Sequence, residues 1–426
     1  MSKYGLLGEK LSHSFSKIIH EKLNQYSYDL MPMNAEELHS FLNARDFNGV
    51  NVTIPYKQEV IPFCDEIDDT AKRIGAVNTI VNRNGKLIGY NTDFNGFLFM
   101  LRKNHIDVKN KIVYILGSGG TSKTVKAVLE YLNAKEIVIV SRIASESKIT
   151  YTKALQRKDA NIIVNTSPKG MYPNNQDLPI DISEFENITA VVDVIYNPLN
   201  TRLLQQAKKK NITYVNGLYM LVAQAIFAAE YFLNEKIVES EIDRIYQDIL
   251  CDLQNIIIVG MPSAGKSTIG KAISKLLNRQ FVDIDSLIEK ETQMSIPQIF
   301  EQQGESYFRN LEHDAIEKVA KQTGIVIATG GGALLNSENI LNLRQNGVIV
   351  FIDRPLDALL VGGHRPLSKS KEAIEKLYHE RYPIYLASCD FVVQNNGDLQ
   401  QAISLVKENF YATIRSNEKQ KQNEIM

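Results

Sequence analysis

The feature that most constrains this chain of 426 residues is a glycine-rich loop beyond its midpoint. Residues Gly260 to Thr268 read Gly-Met-Pro-Ser-Ala-Gly-Lys-Ser-Thr and fit the pattern G-x-x-x-x-G-K-[S/T] in full. The apolar run Asn255 to Val259 precedes this loop, and apolar residues at helical spacing follow it. Because backbone N–H groups and a helix N-terminus converge on phosphate in such a loop, we predict an α/β domain that binds ATP.

The side chains of this loop are expected to share the work of phosphate binding. Lys266 should reach the transferred phosphate, and the Ser267 hydroxyl should ligate Mg²⁺. The remaining residues expected to surround the nucleotide are Gly260, Ser263, Ala264, Gly265 and Thr268. A plain glycine turn with an exposed lysine is the alternative, and the strand and helix in register argue against it.

Two carboxylates follow the first helix after the loop. Residues Phe281 to Asp285 read as a strand, on which Asp283 and Asp285 would point the same way at spacing i, i+2. One carboxylate could hold metal-bound water while the other approaches an acceptor hydroxyl. Caps at the end of a strand are the alternative.

Further segments complete a recognisable pattern. They are Phe308-Arg309-Asn310-Leu311-Glu312, Gly330-Gly331-Gly332, Arg365-Pro366-Leu367 and Arg381-Tyr382-Pro383-Ile384-Tyr385. Together with the loop and the two aspartates, they make residues 255–395 resemble shikimate kinase.

The resemblance implies a role for each of these residues. Asp283 would serve Mg²⁺ through water, and Asp285 would contact and activate the shikimate hydroxyl. The substrate carboxylate would be clamped by two arginines, whose guanidinium forks suit a carboxylate, and the pocket would be lined by two glycines. These four residues are Arg309, Arg381, Gly331 and Gly332.

Arg365 would be the lid arginine that stabilises charge in the transition state. The segment before it, Leu359 to His364, is shorter than the usual lid of the family and lacks the extra basic residues expected there. This departure bears on lid closure, adenine contacts and turnover more than on the identity of the substrate.

A second glycine motif lies in the first half of the chain. Gly117 to Ser122 reads Gly-Ser-Gly-Gly-Thr-Ser, follows the apolar strand Ile112 to Leu116 and precedes a helical pattern. The next strand ends at Ser141-Arg142, within the span of one βαβ dinucleotide unit. Arg142 suits the 2′-phosphate of NADP, whereas an acidic residue would favour NAD. A structural glycine turn is the alternative.

Polar segments accompany this second motif. They are Gly8 to Ser16, Asn51 to Lys57, Gly75 to Thr79, Asn91 to Asp93, Asp193 to Pro198 and Gly217 to Gln224. Taken alone, Lys57 reads as a solvated surface residue. As a set, these segments make residues 1–250 resemble shikimate dehydrogenase.

This resemblance implies that Lys57 and Asp93 form the catalytic pair. A lysine held by a carboxylate can stabilise the oxygen that gains negative charge on hydride delivery and can supply its proton. The implied substrate contacts are Ser14, Ser16, Thr53, Asn78, Tyr196 and Gln224. The implied NADP contacts are Gly117, Ser118, Gly119, Gly120, Thr121, Arg142, Asn165 and Gly217.

The cofactor domain departs from the family in length. Only about two dozen residues separate Ser141-Arg142 from Asn165-Thr166-Ser167, where the family normally fits a further helix and strand. We therefore expect a trimmed cofactor domain, with Asn165 to Ser167 still bordering the nicotinamide.

The two resemblances name one metabolite. We expect a bifunctional enzyme that reduces 3-dehydroshikimate to shikimate with NADPH and converts shikimate to shikimate 3-phosphate with ATP, on the route to chorismate and the aromatic amino acids. One alternative is a quinate or shikimate oxidoreductase using NAD, joined to a gluconate-type kinase. The other is a catalytically dead sensor that binds these ligands.

The alternation of strand-like and helix-like runs predicts an α/β protein with largely parallel sheets. We expect a substrate-binding domain at 1–100 plus 217–252 and a Rossmann-like NADP domain at 101–216. A P-loop kinase domain is expected at 255–412, followed by a flexible tail at 413–426.

The composition of the chain limits which binding partners and which cellular compartment are expected. The net charge of −1 offers no basic excess for nucleic acid or an anionic membrane. The N-terminus lacks the features of a signal peptide, and no apolar run is long enough to span a bilayer. Cys64, Cys251 and Cys389 form no disulfide framework. We expect a cytoplasmic enzyme acting on small molecules and leave its oligomeric state open.

Overall fold

A computed structural model describes residues 4–11, 14–359 and 370–423, with side chains described as far as residue 415. The chain divides into two compact units, Met1–Asp248 and Ile249–Met426. Both are built of sheets covered by helices, which confirms the predicted α/β class.

The N-terminal sheet of the first unit is mixed. Its strands are β1 (Tyr4–Gly8), β2 (Asp29–Pro32), β3 (Gly49–Val52), β4 (Glu66–Ile67), β5 (Thr79–Arg83) and β6 (Lys86–Tyr90), in the order β2-β1-β3-β5-β6-β4. Its helices are α1 (Ser16–Glu21), α2 (Ala35–Ala44), α3 (Asp69–Ile74) and α4 (Thr92–Lys103).

One antiparallel strand makes this sheet mixed, while the pairings β1–β2, β1–β3 and β4–β6 are parallel as expected. Strand β5 runs antiparallel to both β3 and β6. The turn between β5 and β6 is Asn84-Gly85, and both residues have positive φ, 53° and 85°. Asn-Gly is the dipeptide that such a two-residue hairpin turn favours, so the sequence did carry this signal.

The second sheet of the first unit is fully parallel. It comprises β7 (Ile112–Leu116), β8 (Glu136–Ser141), β9 (Lys148–Thr150), β10 (Ile162–Asn165), β11 (Ala190–Asp193) and β12 (Thr213–Val215), with helices α5 (Gly120–Tyr131), α6 (Tyr151–Arg157) and α7 (Arg202–Lys209). The order β9-β8-β7-β10-β11-β12 is that of a doubly wound dinucleotide-binding fold. The segment that the sequence suggested was trimmed holds a strand of three residues and a helix of seven. A strand and a helix are therefore both present in this segment.

Two long helices follow, α8 (Leu218–Leu233) and α9 (Glu239–Leu253). Helix α8 returns the chain to the N-terminal sheet, where the ring centroid of Phe232 lies 5.3 Å from that of Tyr4. A Cβ on Gly49 of β3 would lie only 2.3 Å from the Phe232 ring, so a glycine is needed at this contact. Helix α8 is thus part of the hydrophobic core beneath the first sheet.

The second unit contains one parallel sheet. Its strands are β13 (Asn255–Val259), β14 (Phe281–Asp283), β15 (Val326–Ala328), β16 (Gly347–Asp353) and β17 (Phe391–Gln394), in the order β14-β15-β13-β16-β17. Its helices are α10 (Lys266–Leu276), α11 (Ile284–Thr292), α12 (Ile296–Ala320), α13 (Ser337–Leu343), α14 (Lys371–Ser388) and α15 (Leu399–Asn423). The carboxyl ends of all five strands meet at one edge, where ligands bind in open α/β sheets.

The C-terminal helix runs into the segment predicted as a tail. Helix α15 continues to Asn423, and Ile414 is buried, so the first turn beyond residue 412 is packed. Among the described residues, no helix combines the length and apolar character that a bilayer crossing requires.

A close helix contact in the first unit generates a stability prediction. A Cβ on Gly96 of α4 would lie 2.7 Å from the carbonyl oxygen of Met220 and 2.9 Å from Cβ of Gln224, both on α8. We expect Gly96→Ala to lower the free energy of unfolding by about 1–3 kcal/mol, because α8 has to move away. Urea denaturation followed by circular dichroism measures this loss.

The control is Arg102→Ala on the exposed side of α4, which removes a surface ion pair with Glu239. We expect it to change stability by less than about 1 kcal/mol. Equal stabilities of the two variants would contradict the account of the α4–α8 contact.

Candidate active sites

A cleft of about 790 Å³ opens in the first unit. It is bordered by the carboxyl ends of β1 and β3, the N-terminus of α4 and one face of α8. The predicted site residues that line it are Ser14, Ser16, Thr53, Lys57, Asn78, Asp93, Thr121, Tyr196, Gly217 and Gln224. The structure therefore brings into one cleft segments that are far apart in sequence.

Lys57 and Asp93 form a close ion pair in this cleft. The Lys57 Nζ atom lies 2.6 Å from Oδ2 of Asp93, and their side chains are 29% and 17% exposed. Asp93 sits in the first turn of α4, whose N-cap residue Asn91 accepts a hydrogen bond from the Phe94 N–H at 3.2 Å. A helix N-terminus favours a carboxylate at this position, so the fold holds Asp93 where it can fix the lysine.

Asn78 joins the start of β5 to the start of α4. Its Oδ1 accepts a hydrogen bond from the Thr92 N–H at 2.7 Å, and its backbone carbonyl accepts from Asn51 Nδ2 at 3.3 Å. Tyr28 in turn donates to Asn51 Oδ1 at 2.7 Å. Because the side-chain oxygen of Asn78 is used in this network, its amide nitrogen is the group that can serve the cleft.

The second glycine motif forms the turn between β7 and α5. Gly117 has φ +110°, and a Cβ there would lie 3.0 Å from Thr166 Oγ1. By contrast, a Cβ on Gly119 or Gly120 would meet nothing within 4 Å, so the side of the loop in front of α5 is open. Ser118 is exposed in the same turn.

Arg142 is exposed and follows β8, the parallel neighbour of β7. An open glycine turn at a helix N-terminus suits a pyrophosphate, and an arginine at the next strand end suits a 2′-phosphate. The residues present therefore fit NADP.

The side chain of Asn165, a residue predicted to bind NADP, points into the protein. Asn165 is fully buried; its Nδ2 donates to Asp193 Oδ1 at 3.0 Å, and its Oδ1 accepts from the Ser167 hydroxyl at 2.7 Å. A buried amide has to form its hydrogen bonds inside the protein, so Asn165 shapes the loop that borders Gly117. Burial also raises the pKa of Asp193 to about 7.

Gly217 has a steric reason to be glycine. A Cβ there would lie 2.0 Å from the carbonyl oxygen of Val194, so any side chain would push the start of α8 away from the loop after β11. Gly217 lines the cleft, and its absent side chain is what lets α8 carry Gln224 into the same cleft.

The second unit has a cleft of about 420 Å³ at the carboxyl edge of its sheet. The predicted site residues that line it are Ser263, Gly265, Lys266, Ser267, Thr268, Asp283, Asp285, Arg309, Gly331, Gly332 and Arg381. Gly260 and Ala264 belong to the loop but do not line the cleft. Gly260 passes close to β16, and the Ala264 carbonyl accepts a hydrogen bond from Asn395 Nδ2 at 2.8 Å. Arg365, the predicted lid arginine, lies outside the described residues.

Lys266 and Ser267 both line the cleft. Lys266 Nζ folds over its own loop and donates to the carbonyls of Gly260 and Met261, each at 3.0 Å. The Ser267 hydroxyl donates to Asp283 Oδ2 at 2.5 Å. A hydroxyl beside a carboxylate at the mouth of a phosphate loop fits Mg²⁺ held with the phosphates of ATP.

The prediction that Asp283 and Asp285 share one strand is wrong. Strand β14 ends at Asp283, whose Oδ1 accepts a hydrogen bond from the Ser286 N–H at 3.2 Å and caps α11. Asp285 therefore lies in the first turn of a helix. The N-cap preference of aspartate overrides the short apolar strand pattern, yet both carboxylates still line the cleft.

Glu312 also belongs to this site. It ends the sequence motif Phe308 to Glu312, but the motif alone gave it no role. It is only 1% exposed, and Arg309 Nη1 donates to its Oε2 at 2.7 Å. Its Oε1 and the Oδ1 of Asp285 are buried without a hydrogen-bond partner among the described residues. Burial first, and then the nearby Glu312 carboxylate, raise the pKa of Asp285 to about 6. The available signal was the spacing of Glu312, one helical turn after Arg309.

The three consecutive glycines each face a charged side chain. A Cβ on Gly330 would lie 2.5 Å from Glu312 Oε1 and 2.8 Å from Asp285 Oδ1. A Cβ on Gly332 would lie 2.5 Å from both terminal nitrogens of Arg309. These glycines leave the room that the charged groups of the cleft occupy.

Gly331 completes this wall of the cleft. A Cβ there would lie 3.3 Å from Nη1 of Arg381, a buried arginine of α14. The Gly331 carbonyl accepts a hydrogen bond from the Tyr385 hydroxyl, one turn further along the same helix. This hydrogen bond thus joins helix α14 to the loop after β15 at the wall of the cleft.

Comparisons with known families agree with this arrangement in both units. The family model for the shikimate dehydrogenase substrate binding domain matches residues 6–80, and that for shikimate kinase matches residues 262–410. A shikimate dehydrogenase (NADP(+)) of Clostridium beijerinckii is 39% identical over 246 residues, which are 54% of this chain and 91% of that protein.

Solved structures extend the likeness over the first unit. A chorismate mutase/shikimate 5-dehydrogenase fusion protein from Clostridium acetobutylicum is 38% identical with a TM-score of 0.56, covering 58% of this chain and 97% of that one. Shikimate 5-dehydrogenase from Thermus thermophilus in complex with NADP(H) and shikimate is 29% identical with a TM-score of 0.53, covering 58% and 99%. The chain belongs to the shikimate dehydrogenase family and carries a shikimate kinase domain after it.

Proposed function

We propose that this chain reduces 3-dehydroshikimate to shikimate with NADPH and then phosphorylates shikimate with ATP to shikimate 3-phosphate. The observation that carries this proposal is that one chain holds two clefts that suit two reactions on the same metabolite. One contains the Lys57–Asp93 pair, and the other contains Lys266, Asp285 and two arginines. A gluconate-type kinase is disfavoured by the two arginines beside the glycines, Arg309 and Arg381, and a dead sensor by the intact Lys57–Asp93 pair.

In the reductase cleft, NADPH supplies the hydride. Lys57 lies in the cleft, where its ammonium can stabilise the substrate oxygen as negative charge grows and can give that oxygen its proton. Asp93 holds the ammonium at 2.6 Å and orients it. We assign the hydroxyl and amide groups that line the cleft to the substrate hydroxyls and carboxylate: Ser14, Ser16, Thr53, Asn78, Tyr196 and Gln224.

In the kinase cleft, ATP with Mg²⁺ supplies the phosphoryl group. Arg309 and Arg381 hold the substrate carboxylate by bidentate hydrogen bonds. Asp285 takes the proton of the acceptor hydroxyl, and its raised pKa makes it a stronger base than an exposed aspartate. Lys266 stabilises the negative charge of the transferred phosphoryl group, and we assign the same role to Arg365.

The wider assignments are proposals of the same kind. We place the substrate-binding domain at 1–100 plus 217–252, supported by the packing of α8 on the first sheet, the NADP domain at 101–216 and the kinase domain at 255–412. The partners are small molecules. We propose a cytoplasmic location, which is supported by three free cysteines, Cys64, Cys251 and Cys389.

A coupled assay with two lysine variants tests the bifunctional proposal. Purified protein with 3-dehydroshikimate and NADPH should form NADP⁺, and ADP should follow when MgATP is added. We expect Lys57→Ala to lower reductase turnover by about 10²–10⁴-fold, because the proton donor is lost, and to leave the kinase active. Lys266→Ala should do the reverse.

Two exposed lysines, one in each unit, serve as controls for these variants. Lys72→Ala in α3 and Lys271→Ala in α10 should keep both activities. Absence of ADP formation from authentic shikimate by the wild type would refute the kinase assignment. Unchanged reductase turnover in Lys57→Ala would refute the role of that lysine.

Arg142 generates a prediction about cofactor choice. Its removal deletes a cation opposite the 2′-phosphate, so we expect Arg142→Ala to weaken NADPH binding by about 10–100-fold and to change NADH binding little. Fluorescence titration of both reduced cofactors, without substrate, measures the two dissociation constants. Equal weakening of NADPH and NADH would show that Arg142 does not read the 2′-phosphate.

The pKa of Asp285 generates a prediction about pH. The folded state raises this pKa from 3.8 to about 6, so the folded protein binds the proton more tightly than the unfolded chain. The contribution of Asp285 to the free energy of unfolding should therefore fall as the pH rises from about 4 to about 6. We expect Asp285→Asn to be more stable than the wild type by about 1–3 kcal/mol at pH 8 and nearly equal to it at pH 4.

Urea denaturation at both pH values measures this difference, and kinase turnover should fall by at least about 100-fold in the same variant. Asp314→Asn, a change on α12 away from the cleft, is the control and should alter neither quantity. A stability difference that is the same at pH 4 and pH 8 would contradict the raised pKa.

A further inference from the structure

Arg354 lies in the kinase cleft, and neither the motifs nor the family resemblance gives it a role. It follows β16, the parallel neighbour of β13, which leads into the phosphate loop. The two strand ends run so close that a Cβ on Gly260 would lie 2.5 Å from the carbonyl oxygen of Ile352. This approach brings the Arg354 side chain to the phosphate loop, where it lines the same cleft as Lys266.

The guanidinium of Arg354 uses little of its hydrogen-bonding capacity within the described part of the chain. Its Nη1 donates to the Ser263 carbonyl at 3.3 Å, a long contact. Its Nε is buried and has no hydrogen-bond partner there. A guanidinium offers five N–H donors in a planar fork that matches phosphate oxygens. Most of these donors are therefore available to a ligand.

The cations that line the described part of the cleft fall into two groups. Arg309 and Arg381 lie beside Glu312 on the acceptor side, where the proposed function uses them for a carboxylate. Lys266 and Arg354 both contact backbone carbonyls of the phosphate loop. A triphosphate carries several negative charges, so Lys266 alone compensates only part of them.

We propose that Arg354 binds the phosphate chain of ATP during the kinase reaction, an inference that rests on the proposed function. It supplies a cation from the end of a buried strand, whereas the short segment Leu359 to His364 lacks the extra basic residues that the resemblance leads one to expect. Because β16 is held in the sheet, the arginine stands at the loop before nucleotide arrives. Such preorganisation reduces the entropy lost on binding.

The test compares nucleotide affinities of Arg354→Ala and Arg354→Lys with those of the wild type. Calorimetric titration of the full chain with ATP, ADP and AMP, each with Mg²⁺ and without an acceptor, gives the dissociation constants. We expect Arg354→Ala to weaken ATP binding by about tenfold, ADP binding less, and AMP binding least, because the lost contact is to phosphate. Arg354→Lys keeps the charge and should give intermediate values.

Arg344→Ala is the matched control. Arg344 is also partly buried and donates from Nη2 to a backbone carbonyl, that of Ser388 at 3.0 Å, but it does not line the cleft. We expect its nucleotide affinities to equal those of the wild type. The KM for shikimate at saturating ATP should change by less than about twofold in Arg354→Lys.

Two results would overturn the proposal. One is an ATP affinity equal to that of the wild type in an Arg354→Ala protein whose melting temperature is also unchanged. The other is an equal loss of affinity for ATP, ADP and AMP, which would mean that Arg354 only braces the loop through Ser263. Failure of the wild type to phosphorylate shikimate would instead refute the proposed acceptor, and the titrations remain valid because they contain no acceptor.

Discussion

Parallel strand pairing is the constraint on which the ligand sites of this chain depend. Strands that run the same way end at the same edge, so residues far apart in sequence meet there. In the second unit, β13, β14, β15 and β16 bring together the phosphate loop, Asp283, the three glycines and Arg354. In the first unit, the parallel neighbours β7 and β8 place the open glycine turn beside Arg142.

Within the kinase cleft, the second constraint is the compensation of buried charge. An isolated buried ion is costly, so Glu312 and Arg309 are held together at 2.7 Å, with Asp285 and Arg381 close by. The glycines at 330–332 allow these charged side chains to pack closely, since a Cβ on any of the three would approach one of them within 3.3 Å. Asp285 and Glu312 each have a buried oxygen with no hydrogen-bond partner in the described part of the chain, which reduces stability at neutral pH. The same environment prepares Asp285 to accept a proton.

The joining of the two families has a chemical consequence that does not depend on how the units are arranged. Shikimate is the product of the proposed reduction and the acceptor of the proposed phosphoryl transfer. Because phosphoryl transfer from ATP consumes the product of a reversible reduction, the second reaction pulls the first forward. Because one chain carries both sites, its synthesis always produces the two sites in equal amounts.

The sequence by itself determined the folds, the two families and most lining residues, because glycine loops, strand periodicity and the polar motifs are local patterns. It even contained the Asn84-Gly85 hairpin that makes the first sheet mixed. Only the tertiary structure decided that Asp285 lies on a helix, that Asn165 faces inward, and that Arg354 belongs to the kinase cleft. These properties depend on burial and on contacts between distant segments, and no local pattern of residues specifies either.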